Sequence, residues 1–281
     1  MMFSPSFAGL ALLAAAPAMA QDASPRAGPL PTPDAASDPS PICTDRPTKA
    51  NVACTVPKGD VQIEADLANW TQLSVAGAQT DTLLYTNPTA KIGIGTHTDL
   101  EINLAPHETV RSRDASGGVA TLGGVGDLYL RLKQRLTADS ARTQVSVIPY
   151  VKAPTARAGI GNREWEGGTI VAANVPLPEG FTLTVGPEVD ILADGDRSGR
   201  HHASLTMLAN LSHPVGRKVT MYGELWTAQN LDPAGHVHQY SLDLAVTYLI
   251  SPSWQIDVGG NAGLNTATPG AQLYLGLSTR F

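Results

Sequence analysis

The chain has 281 residues, 42% hydrophobic and 16% charged, with 27 Gly, 21 Pro and a formal net charge of -6. Beyond residue 20 no run supplies the roughly 20 uninterrupted apolar residues of a membrane-spanning helix, so an α-helical membrane protein is excluded. The mild acidic balance argues against nucleic acid as a partner, since that binding leans on clustered Lys and Arg. Low charge, abundant Gly and short alternating runs favour an all-β chain.

Residues 1–20 read as an export signal, with the apolar run Phe7 to Ala16 followed by Ala18-Met19-Ala20 as a cleavage site, although no basic residue precedes the run. Export implies an oxidising compartment. Residues 21–41 are rich in Pro, Ala, Ser and Asp and cannot bury a core, so they read as a disordered linker. Residues 42–59 form a periplasmic segment framed by Cys43 and Cys54, the two cysteines of the chain, which are expected to pair. Two thiols without a nearby His do not make a four-ligand metal site. Whether this segment enters a lumen is open at this point, and a plug is one possibility.

Residues 60–281 carry about twelve alternating runs, each long enough for a tilted bilayer crossing. They are Val61–Trp70, Thr82–Ile94, Thr98–Ala105, Val125–Leu136, Thr143–Ala153, Trp165–Val175, Phe181–Leu192, His202–Ser212, Lys218–Thr227, Val237–Leu249, Trp254–Leu264 and Ala271–Phe281. In the last, Leu273, Leu275 and Leu277 alternate with Gln272, Tyr274, Ser278 and Arg280 before the aromatic Phe281. Asn87-Pro88 and Pro149 interrupt two runs and predict a bulge or shifted boundary at each.

The connections form two series. Gly95–His97, Thr137–Arg142, Pro176–Gly180, His213–Arg217 and Ile250–Ser253 are short; Thr71–Asp81, Pro106–Gly124, Pro154–Glu164, Ala193–His201, Ala228–His236 and Asn265–Gly270 are mostly longer and polar. That is the asymmetry of an antiparallel up-and-down barrel in the bacterial outer membrane. A soluble sandwich or propeller would explain the alternation, but not the loop asymmetry or the terminal aromatic. The expected partners are outer-membrane lipid, the barrel-assembly machinery acting on the C-terminal strand with Phe281 as its signal, and a small organic solute.

A charge facing lipid at the midplane costs about 2 to 4 kcal/mol, so the charges on these runs are placed inward. The lumen-lining candidates are Glu64, Asp66, Glu101, Asp127, Glu188, Asp190, Glu224, Asp243 and Asp257, with Arg131, Lys133, Lys152 and Arg280 opposing them. By phase, Tyr129, Tyr150, Tyr222, Trp226 and Tyr274 also face inward, where they suit an aromatic solute. The charges either fill the barrel as a paired network or line a hydrated path.

An outer-membrane enzyme is the rival class. There is no Gly-x-Ser-x-Gly elbow and no His-Glu-x-x-His spacing. Ser204 and Ser241 lie near histidines, but nothing orients a base. His201 and His202 point oppositely on a strand, and His236 with His238 lacks an evident third ligand. No catalytic residue, cofactor or metal is expected.

Thr44-Asp45-Arg46-Pro47, followed by Val56-Pro57-Lys58-Gly59-Asp60-Val61-Gln62-Ile63-Glu64, resembles the opening of the family named for the MetA pathway of phenol degradation. Asp99-Leu100-Glu101-Ile102 and Gly124-Val125-Gly126-Asp127-Leu128 resemble its strand starts, whereas Ala153-Pro154-Thr155-Ala156 departs from its Leu-Pro-Thr-Gly strand end. The resemblance implies an outer-membrane channel and, more weakly, phenolic solutes. The alternative is a barrel-anchored enzyme, or a structural or binding protein with a closed lumen.

Overall fold

The computed structural model describes residues 40–196 and 199–281. The expected export signal and nearly all of the expected linker lie outside the described residues. The chain forms a closed antiparallel barrel of 12 strands. They are β1 (Val61–Val75), β2 (Ala78–Gly93), β3 (Thr98–Leu104 with His107–Arg113), β4 (Val119–Gly124 with Leu128–Arg135), β5 (Gln144–Ala153), β6 (Glu166–Pro176), β7 (Thr182–Val185 with Glu188–Ala193), β8 (His201–Val215), β9 (Val219–Asn230), β10 (Val237–Ser251), β11 (Trp254–Gly263) and β12 (Ala271–Arg280). Each strand pairs with the next in sequence, and β12 closes on β1 from Gln62 opposite Arg280 to Gln72 opposite Ala271.

The polarity is inverted relative to a soluble protein. Gln62, Glu101, Lys133, Glu224, Asp243 and Asp257 are each at most 2% exposed, whereas Val189, Leu225, Leu244 and Leu273 are at least half exposed. Period-two alternation therefore places the charged series inside and the aliphatic series against lipid. Trp254 and Phe281 meet edge-on at the end that carries the short turns, with ring centroids 6.5 Å apart. The architecture is that of a bacterial outer-membrane protein, with that end periplasmic.

Two outer loops expected from the sequence are strand instead. Residues 71–75 and 78–81 extend the first hairpin as far as Val75 opposite Ala78. Ala76 (φ 49°) and Gly77 (φ 81°) form its two-residue turn, the backbone that joins twisted strands most directly. Within 106–124, His107–Arg113 pairs with both Val119–Gly124 and Gln79–Tyr85, so only 114–118 remain as a turn. Polar composition had suggested loops, but an antiparallel extension in water needs no apolar face on either side.

The wall is irregular at one level. The β1–β2 ladder lapses where Leu67 faces Thr86, whose φ is 49°, and β1 shifts register against β12 between Asp66 and Ala68. The shift turns Asn69 inward, where Gln272 Nε2 donates to its Oδ1 at 2.9 Å. At the same level β3 breaks at Ala105-Pro106 and β4 at Val125 to Asp127, bridged by Gly126 N–H donating to Ala105 O at 2.9 Å. Pro149 stays within β5, opposite Thr169 of β6, while the ladder to β4 lapses beside it.

Candidate functional site: the lumen and the segment that crosses it

Residues 42–56 lie inside the barrel. Ile42 N–H donates to Pro252 O in the last periplasmic turn at 2.7 Å, fixing where the segment enters. Cys43 and Cys54 are bonded to each other. A segment without secondary structure must still satisfy its backbone polar groups when buried, and side chains of the wall do this. Glu64 accepts from Asp45 N–H, Glu224 from Lys49 and Ala50 N–H, Asn174 from Ala53 N–H and Asp99 from Val56 N–H. Gln62 Nε2 donates to Cys43 O and Ser146 Oγ to Ala53 O. These partners span β1, β3, β5, β6 and β9, so the segment crosses the lumen rather than lining one wall.

Three charged residues of the segment each meet opposite charges of the wall. The Arg46 guanidinium forms a two-pronged pair with Asp257, Nε to Oδ2 at 2.9 Å and Nη2 to Oδ1 at 2.7 Å, and its Nη1 donates to Asp66 Oδ1 at 2.7 Å. Asp66, Gly276 and Asp257 are register partners on β1, β12 and β11. A Cβ on Gly276 would collide with the guanidinium, so this glycine is the floor of the slot between the two carboxylates. Tyr274, two residues away on the same face, has its ring 5.9 Å from Arg46 Cζ.

Asp45 accepts from Lys133 Nζ at 2.7 Å and also pairs with Lys91, which lies 2.6 Å from Glu64. Burial would push the Asp45 carboxyl up, but Lys133 and Lys91 outweigh it and hold the group well below its ordinary value. Lys49 Nζ reaches Asp243 at 2.5 Å and Ser241 Oγ at 3.0 Å, beneath the Trp226 ring at 5.0 Å. The wall at this depth holds more carboxylates than cations, so Arg46 and Lys49 offset charge that is costly to bury alone.

Sequence phase missed Lys91, because Asn87-Pro88 obscured the run that carries it, and Lys49, because the segment has no periodicity to phase. Asp99 was passed over for Glu101 on the same run.

The remaining candidates fall elsewhere. Arg280 lies at the periplasmic rim, its Nε 3.6 Å from Asp60. Tyr222 lines a cavity of about 390 Å³ on the periplasmic side of the segment, with Thr44, Asn210 and Gln255. Asp127 pairs with Lys152 at 3.2 Å and accepts from Ala156 N–H at 2.8 Å, tying the outer loop 154–165 to the wall. Lys152 also reaches Glu166 at 2.8 Å. A further cavity of about 240 Å³ is lined by Asn103, Glu108, Asp127 and Tyr129.

Arg131 differs from these cations. Among the described residues it makes no hydrogen bond or ion pair, and its Nε is buried without a partner. Instead its Cζ lies 6.0 Å from the ring centres of both Tyr129 and Tyr150, which are 6.3 Å apart. Tyr150 reaches across Gly168 to donate to Asp190 at 2.6 Å, and a Cβ at Gly168 would meet that carboxylate and the ring. Ile148, Ile170 and Ala172 pack with Tyr150 as an apolar patch of the wall. Glu188, on the strand that carries Asp190, also faces this region.

The disulfide closes a short loop, with a sequence separation of 11, a constraint worth about 3 kcal/mol in the chain-entropy model. Replacing Cys54 by Ser is expected to lower the temperature at which detergent-extracted barrel changes its gel migration. An unchanged transition would mean that the segment is held by its wall contacts alone.

The solved outer membrane channel from Pseudomonas putida F1 has the same fold, at 14% identity and a TM-score of 0.65, covering 82% of this chain and 98% of that one. The translocator domain of the autotransporter NalP from Neisseria meningitidis overlays less closely, with 15% identity and a TM-score of 0.48 over 80% and 90% of the two chains. No functionally curated sequence matches. The model of the family described as "Putative MetA-pathway of phenol degradation" matches residues 44–281, and the chain belongs to that family.

Proposed function

We propose that this barrel is an outer-membrane channel for small aromatic solutes carrying an acceptor oxygen, phenols among them, with residues 42–56 closing its lumen at rest. The observation that carries the solute class is the unpaired Arg131 between Tyr129 and Tyr150. Two ring faces and an apolar patch suit a planar ring, and the guanidinium supplies donors for its oxygen. Facing Glu188 and Asp190 favour a neutral phenol over a fully charged carboxylate. The family description points to the same chemistry. The cavities on the two sides of the segment are the parts of a path that the segment divides.

Replacing Arg131 by Ala is expected to slow phenol entry into proteoliposomes several-fold while leaving sucrose entry unchanged, and Tyr129→Ala is expected to act in the same direction. Equal phenol rates in parent and both variants would overturn the solute assignment.

The segment's contacts around the lumen favour one alternative, a barrel-anchored binding or structural protein that never opens. Planar bilayers separate the two readings. Discrete conductance steps from the full chain support the channel, and a persistently silent, folded barrel supports the alternative.

A further inference from the structure

At the outer end of the barrel, away from the lumen cluster, three metal-ligating side chains converge from separate places in the sequence. Asp194 follows β7, His202 begins β8 and Asp232 lies in the loop between β9 and β10. One ligand atom from each lies within 4.8 Å of the other two. His202 Nδ1 is 3.0 Å from Asp194 Oδ1, and the two side chains are only 5% and 2% exposed. Asp232 Oδ2 accepts from Gly195 N–H at 2.9 Å, so the loop holding Asp194 already leans on the loop holding Asp232.

The imidazole is the part that hydrogen bonding leaves unexplained. Its Nε2 is buried and has no partner among the described residues. If the ring is neutral with its proton on Nδ1, a lone pair is buried unused; if it is protonated, an N–H is buried unused. Native interiors rarely leave such an atom unmatched. Arg200 Nε is 4.0 Å from Asp194 and its side chain is 68% exposed, so it adds little to a site holding two carboxylates.

We propose that His202 Nε2 and Asp232 bind a divalent first-row metal ion that clamps the two outer loops together at the barrel mouth, with Asp194 holding the imidazole through Nδ1. An imidazole nitrogen beside a carboxylate suits Zn²⁺ or Mn²⁺ better than Ca²⁺, which takes six to eight oxygen ligands. Water completes the coordination on the solvent side. The sequence hid this site because each His pair had only itself to offer; Asp194 stands at the far end of the same loop and Asp232 comes from the next outer loop.

The test is calorimetric titration of the full-length barrel in detergent, stripped with chelator, using Zn²⁺ as the probe. The parent is expected to bind one ion, and His202→Ala to weaken binding by at least about tenfold, the lower end for loss of a metal-site contact. Asp232→Asn keeps the shape of its loop and is expected to weaken it similarly, so the result does not depend on one variant folding. Heat-modifiable migration reports folding in each, and His107→Ala, at an exposed position outside the cluster, is expected to bind like the parent. Absence of binding by the parent, or unchanged binding in His202→Ala and Asp232→Asn, would overturn the site.

Discussion

Deleting residues 42–59 is expected to convert a closed barrel into an open, cation-selective pore. The segment contributes Arg46 and Lys49, which face Asp66, Asp257 and Asp243. Without them the inner wall presents Glu64, Asp66, Glu101, Glu224, Asp243 and Asp257 against Lys91 and Lys133, all buried in the closed barrel. Water entering the vacated lumen hydrates these groups, and a ring of carboxylates selects cations. In a planar bilayer under a KCl gradient, the deletion variant should show large discrete steps with a reversal potential on the cation side. That preference should fade in 1 M salt, where the screening length is about 3 Å. An anion-side reversal potential, or steps no larger than those of the parent, would refute the placement of the wall charges.

Replacing Arg46 by Ala should release the segment without shortening it. Removing one partner of a buried charge pair typically costs about 3 to 5 kcal/mol, because the other is left uncompensated. Here two carboxylates are left, so the seated state should lose two to three orders of magnitude in population, at about 1.4 kcal/mol per factor of ten. Arg46→Lys should recover only part of this, since an ammonium cannot reproduce the fork that Asp257 receives. Gly276→Ala tests the same contact from the wall side, because its methyl group takes the guanidinium's place.

The Arg46→Ala and Gly276→Ala changes act on one interaction, so the double variant should be little worse than either single one. The measurement is the frequency of open steps in bilayers together with the temperature of the heat-modifiable transition. If the two changes prove additive, Gly276 serves something other than the Arg46 slot.

The sequence by itself determined the strand series, its inside and its outside. Period-two alternation needs only local backbone geometry, and the cost of placing a charge in lipid fixes which face is which. That reasoning set Glu64, Asp66, Glu224, Asp243 and Asp257 on one face of their strands, although it did not say what they meet. It went astray where polar composition stood in for geometry: residues 71–81 and 106–124 looked like loops, yet they pair beyond the apolar belt.

What only the tertiary structure decided is which side chains share a depth. Arg46 finds Asp257, 211 residues away in sequence, because β11, β12 and β1 set Asp257, Gly276 and Asp66 side by side. Asp194, His202 and Asp232 meet because hairpins bring successive outer loops together. Register in a closed barrel is set by the whole ring of strands rather than by any one of them, so neither constellation leaves a spacing in the linear chain to be read.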